Sequence, residues 1–258
     1  MGLSIAMKIN FPLLALAVGA FAIGTTEFSP MGFLPEIAND LSVSIPQAGL
    51  LISAYAVGVM IGAPLMTLWL ARFPKKTALI LLMAIFTIGN VLATVAPDYM
   101  SLMGARLITS LNHGAFFGLG SVVAASVVPK DKQASAVAMM FMGLTIANIG
   151  GVPLATWLSQ NTSWRMAFAA ISILGIMTML ALWKALPQDH DVVKPNVAKE
   201  LRVLTRAPVV LALLTTVMSA GAMFALYTYI APSLHTFMQA SPQTITLMLV
   251  LIGIGFSI

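Results

Sequence analysis

The chain has 258 residues, of which 59% are hydrophobic and only 8% are charged, and its formal net charge at pH 7 is +5. An ordinary soluble domain is roughly 45–50% apolar and about 25% charged, so this composition excludes a soluble globular fold and indicates an all-α protein embedded in lipid. The absence of cysteine excludes disulfides, thiol catalysis and cysteine-based metal sites.

Long apolar runs follow one another along the chain, and each of the first seven is long enough to cross a hydrocarbon core of roughly 30 Å. Backbone amides in that core need partners within the protein, so the runs are predicted to be helices. An eighth run begins near residue 244 and continues to residue 258. The first seven runs cover residues 11–34, 45–70, 77–96, 100–128, 134–158, 166–186 and 208–231.

The basic residues occupy alternate gaps between these runs. Eleven of the 13 Lys and Arg residues precede the first run, follow the second and fourth runs, or lie around the gap after the sixth run. The opposite gaps contain Glu36, Asp40 and Asp98, with Arg165 as their one basic residue. The positive-inside rule therefore predicts a multi-pass protein with a cytoplasmic N-terminus and a cytoplasmic loop after the sixth run.

The same spacing predicts the domain organisation. Residues 1–187 are expected to form a six-helix transmembrane domain, residues 188–206 a cytoplasmic central loop, and residues 207–258 the start of a second transmembrane domain. A cleaved signal peptide is the alternative for the first run, but its length and the six following spans favour an uncleaved helix. Because the chain ends within an apolar run, we expect it to be a fragment that does not transport by itself.

Three titratable side chains fall inside the runs, where a charge at the bilayer centre costs at least about 2.5–3.5 kcal/mol. Glu27 lies in the first run, and Arg106 and His113 lie in the fourth. Counted inward at about 1.5 Å per residue, Glu27 and Arg106 have similar depth. His113 follows Arg106 by nearly two turns, so both are predicted to share one face of a continuous helix.

Each of these residues also has a structural interpretation. Glu27 would be solvated if it lay near the outer end of its helix. Arg106 would be structural if it paired with backbone carbonyls or with Asp98. His113 would be a satisfied packing residue, as a single histidine in a helix often is. Asn90 belongs to the polar residues that often hydrogen-bond neighbouring membrane helices.

Glycine and proline indicate close packing and bending. Gly58 and Gly62 are four residues apart in the second run, and Gly114 and Gly118 repeat this spacing in the fourth. Small residues at this spacing let two helix backbones approach each other closely.

The fifth run contains Gly150, Gly151 and Pro153. A proline inside a helix frees a backbone carbonyl and bends the helix, so this segment is predicted to be a bend or a gate.

Four segments carry recognisable motifs: residues 24–38 (GTTEFSPMGFLPEIA), Arg106 with residues 112–116 (NHGAF), residues 150–153 (GGVP) and residues 164–168 (WRMAF). Together they resemble the major facilitator superfamily, and within it the bacterial drug and sugar efflux branch that includes arabinose-efflux-like permeases. The first segment is similar to the opening of that branch, and the second resembles its arginine-bearing fourth helix. The third resembles the antiporter motif, and the fourth matches the start of the sixth helix of that branch.

The loop after the second run departs from the family pattern. It keeps the basic residues Arg72, Lys75 and Lys76 of the cytoplasmic motif, but Ala71 takes the usual aspartate position and Pro74 the usual glycine position. A cytoplasmic gate that depends on that acid is therefore in doubt.

The resemblance implies two six-helix halves, each built from inverted three-helix repeats, of which this chain would hold the N-terminal half and the start of the second. It also implies proton-coupled efflux of a drug, sugar or metabolite by alternating access. Glu27, Arg106 and His113 would couple transport to protons. The candidates for substrate contact in the cavity are Tyr55, Asn112, Asn148 and Tyr227.

The expected setting is the bacterial inner membrane, with lipid, protons and a small-molecule substrate as partners and a monomer as the complete form. No enzymatic activity, nucleic acid, cofactor or metal is expected, since no phosphate-binding loop or clustered histidine set is present in the sequence. An uncoupled facilitator and a non-transporting membrane protein are the alternatives.

Overall fold

The structure is a computed structural model that describes residues 10–187 and 205–256. Within these residues, seven helical stretches are long and apolar enough to cross a membrane, which confirms the predicted polytopic helical fold. The predicted central loop lies outside the described residues except for its last two positions. Lys8 and residue 258 also lie outside the described residues. We number the stretches as spans 1 to 7: Phe11–Gly32, Ile45–Leu70, Lys75–Thr94, Tyr99–Ser126, Lys130–Asn161, Trp164–Ala185 and Ala207–Thr228.

Several spans consist of more than one helix, and short helices also lie between or after them. A 3₁₀ turn, Lys130–Lys132, opens span 5, and a π-helical turn, Ala147–Gly151, lies in its middle. In chain order the α-helices are α1 Phe11–Gly32, α2 Leu34–Asp40, α3 Ile45–Leu70, α4 Lys75–Thr94, α5 Tyr99–Ser110, α6 His113–Ser126, α7 Gln133–Ile146, α8 Val152–Asn161, α9 Trp164–Ala185, α10 Ala207–Thr228, α11 Ile230–Met238 and α12 Pro242–Gly255.

Polar caps determine where many of these helices begin. The side chains of Asn10, Ser44, Asp98, Ser163 and Ser241 each accept a hydrogen bond from the backbone amide three residues further on. Such a cap satisfies one of the amides that the first turn of a helix leaves without a partner. The spans therefore start at residues that suit the boundary between lipid and water.

Span 4 differs from the continuous helix that the sequence predicts. It is interrupted between Ser110 and His113, and the Leu111 amide bonds to the Ile108 carbonyl, three residues back instead of four. Arg106 and His113 therefore belong to two helices, α5 and α6, and the predicted continuous helix is wrong.

Span 5 changes its winding where the sequence predicts a bend. The π-helical turn Ala147–Gly151 directly precedes Pro153, which lies in the first turn of α8. Proline has no amide hydrogen and its ring clashes with the carbonyl four residues earlier, so a wider turn at this point relieves the clash. This turn contains the predicted motif residues Gly150 and Gly151.

Spans 2 and 4 approach each other at glycines. A Cβ at Gly62 would lie 2.8 Å from the Leu111 Cα, and Gly58 and Gly114 face Ser110 and Ala63 with similarly little room. The predicted close packing is confirmed for these three glycines. It is wrong for Gly118, because no described residue outside the adjoining backbone of its own helix places an atom within 4 Å of the position that its Cβ would take.

The two ends of the bundle differ in their polar contacts. At one end, called here the Asp40 end, Arg165 pairs with Asp40 and donates to the carbonyl of Ala96. At the other, called the Arg72 end, Lys76 donates to the carbonyl of Leu186 across 2.8 Å. Each end of the bundle thus has its own polar contacts, which join segments that are far apart in the chain.

The helices after residue 205 pack on the first six spans through one apolar layer, called here the seam. It includes Phe28 and Met31 of α1, Val152 of α8, Tyr227 of α10 and Leu249 of α12. The seam lies toward the Asp40 end, where α11 also contacts α2. Along α10, only Tyr227 and its neighbour Thr228 are buried.

We predict that G62A destabilises the protein by about 1–3 kcal/mol, because the added methyl group meets backbone atoms of Leu111 that cannot rotate away. G104A is the matched control, since no atom lies within 4 Å of a Cβ at Gly104 on span 4. Unfolding of both variants in detergent, followed by circular dichroism, measures the difference. Equal stability of the two variants would contradict the close approach of spans 2 and 4.

Candidate functional site

The titratable residues predicted from the sequence converge between spans 1, 2 and 4. Glu27 projects from α1, and His113 is the first residue of α6. Their closest atoms, Glu27 Oε2 and His113 Nε2, are 3.9 Å apart, and both side chains are 15% exposed. The structure thus places this pair inside the bundle, with limited access from outside it, and not at the solvated end of span 1.

Tyr55 of α3 connects His113 to Arg106. Its hydroxyl lies 3.1 Å from His113 Nδ1, and the Arg106 guanidinium carbon lies 4.2 Å from the centre of its ring. Tyr55 is only 2% exposed. Its hydroxyl and its ring face are both occupied by neighbouring residues.

Arg106 is the most completely buried charge of the site, with 1% of its surface exposed. Its Nη1 donates to the backbone carbonyl of Thr26 across 2.9 Å, whereas Nε and Nη2 have no hydrogen-bond partner in the part of the chain that the structure describes. The alternative of pairing with a backbone carbonyl is therefore realised, while Asp98 instead caps α5. Among the ion pairs of the described residues Glu27 is paired with His113 and not with Arg106, so the approach of Glu27 and Arg106 is indirect.

A hydrogen bond between spans 1 and 3 holds the segment that Arg106 contacts. The Thr26 hydroxyl donates to Asn90 Oδ1 across 2.6 Å, and Asn90 Nδ2 donates to the Phe86 carbonyl. Thr26 and Asn90 are both fully buried. Sequence analysis identified Asn90 only as a residue able to bond a neighbouring helix, and nothing in the sequence pairs it with Thr26.

The remaining substrate candidates lie in different surroundings. Asn112 is fully buried in the interruption of span 4, and neither end of its amide has a hydrogen-bond partner among residues 10–187 and 205–256. Asn148 lies in the π-helical turn, where its Nδ2 donates to the Leu144 carbonyl and its Oδ1 has no partner in the same ranges.

Tyr227 belongs to the seam. Its ring centre lies 5.9 Å from that of Phe28 and 5.6 Å from that of Phe256. Its hydroxyl is buried without a hydrogen-bond partner in the described part of the chain.

The motif glycines of span 5 differ from each other. Gly151 packs against Thr25 and Phe21 of α1, whereas Gly150 has no atom within 4 Å of its Cβ position. Asn148 and Ile149 in the same turn pack directly against Gly253 of α12. The π-helical turn therefore touches both span 1 and the last described helix.

The basic motif lies away from this cluster, at the Arg72 end. The Arg72 guanidinium lies over the rings of Trp69 and Phe73, with its carbon 5.2 Å and 5.4 Å from their centres. Lys75 opens α4, and Lys76 binds the Leu186 carbonyl. The structure therefore separates this motif from the titratable residues.

Two acids at the Asp40 end have opposite surroundings. The hydrogen bond from Arg165 lowers the pKa of the Asp40 carboxyl, which also accepts from Trp164 Nε1. Burial raises the pKa of Glu36, although a backbone hydrogen bond and the nearby His235 act against this shift. One Glu36 carboxyl oxygen is buried and has no hydrogen-bond partner among the described residues.

No group of three or more His, Cys, Asp or Glu side chains that could hold a metal ion occurs within residues 10–187 and 205–256.

Comparison with known proteins identifies related sequences. The family description "Major Facilitator Superfamily" matches residues 16–258. The Inner membrane transport protein YdhP of Escherichia coli K12 is 67% identical over 98% of this chain and 65% of its own length. The Putative transporter AraJ of the same strain is 36% identical over 94% of this chain and 62% of its own length. The Probable sugar efflux transporter of Helicobacter pylori P12 is 30% identical over 93% of this chain and 61% of its own length.

The chain thus spans less than two thirds of each of these relatives. Among solved structures, an inward-facing bacterial homolog of the human lysosomal transporter Spinster has a TM-score of 0.76 and 18% sequence identity. That match covers 94% of this chain and 58% of the solved chain. This likeness confirms the predicted fold class.

We predict that T26V lowers the free energy of unfolding by about 1–3 kcal/mol, because it leaves the buried Asn90 Oδ1 without a donor. T109V is the matched control: Thr109 is equally buried, but its hydroxyl only donates to the Ala105 carbonyl of its own helix. Denaturant unfolding in detergent measures both. If T109V lowers the free energy of unfolding as much as T26V does, the hydrogen bond between spans 1 and 3 stabilises the protein no more than a hydrogen bond within one helix.

Proposed function

Because the chain belongs to the major facilitator superfamily, we propose that the complete gene product is a proton-coupled secondary transporter that exports a small molecule by alternating access. The observation that carries this proposal is the connected set Glu27, His113, Tyr55 and Arg106 inside a multi-pass membrane protein. Ionisable groups at this depth are costly, and they usually belong to proton or ion pathways.

Glu27 is the proposed proton carrier. Its side chain is partly exposed, whereas the guanidinium of Arg106 is buried and two of its nitrogens lack partners within the described ranges. When Glu27 is ionised, it attracts both Arg106 and a protonated His113; when it is protonated, that attraction disappears. Loss or gain of one proton would thus change the force between spans 1 and 4.

Tyr55 receives a positioning role in this proposal. It was predicted as a substrate contact, but its hydroxyl is bonded to His113 and its ring to Arg106. We propose that Tyr55 orients these two residues. Asn112, Asn148 and Tyr227 remain the candidates for substrate contact, because each has a buried polar atom that lacks a partner in the described part of the chain.

The seam is the proposed outer gate. The positive-inside rule assigns the Asp40 end to the periplasm, with the N-terminus in the cytoplasm. The seam packs α10, α11 and α12 against α1 and α8 at that end. This packing supports a conformation that is closed toward the periplasm. The π-helical turn with Gly150, Gly151 and Pro153 would let span 5 bend as the gate opens.

The proposed domains follow the sequence prediction, with a six-helix unit over residues 1–187, a cytoplasmic loop over 188–206 and a second unit from residue 207. The expected location is the bacterial inner membrane, and the expected complete form is a monomer. An uncoupled facilitator remains the second candidate, since it would share the fold; it would move substrate without regard to a pH gradient.

We predict that E27Q abolishes transport driven by a pH gradient, down to the level of protein-free liposomes, while exchange of substrate for substrate persists. The reason is that exchange needs no net proton movement, whereas export against a gradient does. A panel of labelled sugars, drugs and metabolites in proteoliposomes containing the complete gene product measures both activities. D131N, at an exposed acid in the 3₁₀ turn, is the control. Unchanged gradient-driven export in E27Q would rule out the proton role of Glu27.

We also predict that the outer gate opens as the pH rises. Burial raises the pKa of Glu36 above its ordinary value of 4.5. Opening of the contact between α11 and α2 would expose this carboxyl, so the packed state binds the proton more tightly than the opened state does. Protonation therefore stabilises the packed state at low pH, and that stabilisation is lost as the pH rises from 4.5 through the raised pKa. E36Q should keep the gate packed at every pH.

Spin labels at N39C of α2 and at Q239C, directly after α11, lie on opposite sides of the contact between these two helices. The distance between the labels measures the opening of the gate. The chain has no native cysteine, so within it only these two sites react. Pulsed electron paramagnetic resonance should show a longer distance at neutral pH in the otherwise unchanged protein, but not in E36Q. D98N should retain the pH dependence, since Asp98 caps α5 outside the seam. The same pH dependence in E36Q would exclude Glu36 as its source.

A further inference from the structure

Helix α12 packs against span 5 through contacts of two different kinds. In the middle of span 5 the contact is between backbones, because a Cβ at Gly253 would lie 2.9 Å from the Ile149 Cα and would also meet the Asn148 carbonyl. At the Asp40 end the contact is between side chains, where the Thr246 hydroxyl donates to Gln160 Oε1 across 3.0 Å. Residues 246 and 253 are about 10 Å apart along the helix axis.

The two contacts differ in how readily they can separate. At Gly253 no side chain lies between the two backbones, so α12 and the π-helical turn of span 5 are in direct contact. Thr246 and Gln160 are both partly exposed, so water can replace each partner when the hydrogen bond breaks. A neutral hydrogen bond of this kind favours the bonded state by about five-fold. The interface can therefore open at the Asp40 end while its middle stays together.

A buried hydroxyl in the same interface has the opposite effect. Thr156 lies where α1, α8 and α12 meet, since a Cβ at Gly32 would touch Thr156 Oγ1 and would lie 2.9 Å from Leu249 Cδ1. Thr156 is fully buried, and its hydroxyl has no hydrogen-bond partner among residues 10–187 and 205–256. Such a group disfavours the packed state by about five-fold or more. Separation of α12 from α8 would give water access to this hydroxyl.

We propose that the hydrogen bond between Thr246 and Gln160, called here the latch, holds the outer gate closed. The Thr156 hydroxyl opposes the latch, and α12 turns about its contact at Gly253 when the gate opens. This inference rests on the proposed function, because it takes the seam as the outer gate. Thr246 and Gln160 are positioning residues in it, since they set the population of the closed state.

The opposition of these two groups suits a protein that alternates between conformations. A proton or a substrate can shift a conformational equilibrium only by its difference in affinity for the two states. A gate held by many strong bonds would stay closed whatever binds in the cavity. One hydrogen bond against one unsatisfied hydroxyl keeps the closed and open states close in free energy, so binding of a single proton can decide between them.

Variants that remove the latch test the first part. Spin labels at N161C and Q243C, two exposed residues at the Asp40 end of span 5 and of α12, report the opening by electron paramagnetic resonance of the complete gene product in liposomes. T246V and Q160M should each raise the ratio of open to closed protein about five-fold. The double variant should raise it no further, because both changes remove the same bond. T246S keeps the hydroxyl and should keep the parent ratio, as should Q133M at the other end of span 5.

The second part predicts a change of opposite sign. T156V removes the buried hydroxyl at nearly constant shape, so it should lower the ratio of open to closed protein by about five-fold or more. T178V is the matched control, because Thr178 is equally buried but its hydroxyl donates to the Leu174 carbonyl of its own helix. A purely structural role of these residues would not move the gate in opposite directions.

Several results would overturn the proposal. They are an unchanged ratio in Q160M, an additive effect in the double variant, and a raised ratio in T156V; Q160M tests the latch even if T246V does not fold. Labels at I146C and I254C, beside the contact at Gly253, should keep their distance in every variant, and a lengthening there would exclude this contact as the pivot.

The label distances need no substrate and no proton gradient. They are therefore separate from the transport assay of E27Q, which tests the proposed function. Unchanged gradient-driven export in E27Q together with the expected distances would contradict proton coupling and leave the latch in place. Loss of export in E27Q together with unchanged distances in Q160M would contradict the latch alone.

Discussion

A guanidinium that has lost nearly all contact with water has to be stabilised by the protein, and Arg106 sets this requirement for the whole site. Within the described residues its hydrogen bond goes to a main-chain carbonyl, that of Thr26, and its face lies on the ring of Tyr55. A backbone acceptor carries no charge, so this pairing does not neutralise the positive field of Arg106. The same Tyr55 bonds His113, which lies 3.9 Å from Glu27, so the field acts in the interior that holds both groups. The chemistry of the neighbouring acid and imidazole therefore depends on where spans 1 and 4 hold this cation.

Close contact between backbones makes that arrangement possible. Gly62 brings span 2 against Leu111, and Gly89 brings span 3 against Thr109, where a Cβ would lie 2.8 Å from the Thr109 Cα. With spans 2 and 3 held on two sides of span 4, the Arg106 side chain extends to span 1. Asn90 on span 3 then bonds Thr26, next to Glu27. Packing of small residues and hydrogen bonding of polar residues thus act on the same few turns.

The sequence predicted the features that depend on composition along the chain. The apolar runs, the alternating basic gaps and the three titratable residues can be identified from residue type alone. The reason is that lipid excludes charged side chains from a membrane-spanning helix whichever way the helix is rotated. It did not predict features that depend on how helices rotate against each other. The bond between Thr26 and Asn90 joins residues far apart in the chain, and the burial of Tyr55 depends on the direction of one ring. The open surroundings of Gly118 could not be predicted for the same reason. A glycine that packs against a neighbouring helix and a glycine with no such neighbour look identical in sequence.

The interruption of span 4 has a mechanical consequence. In an unbroken α-helix each turn is tied to the previous one by hydrogen bonds four residues apart, so torque applied at one end is passed to the other. Between Ser110 and His113 this coupling changes to the tighter bond from Leu111 to Ile108. α5 and α6 are therefore joined by a turn that lacks part of the regular helical hydrogen bonding, with the cation before it and the imidazole after it. A change of angle at this turn would alter the distance between the two groups.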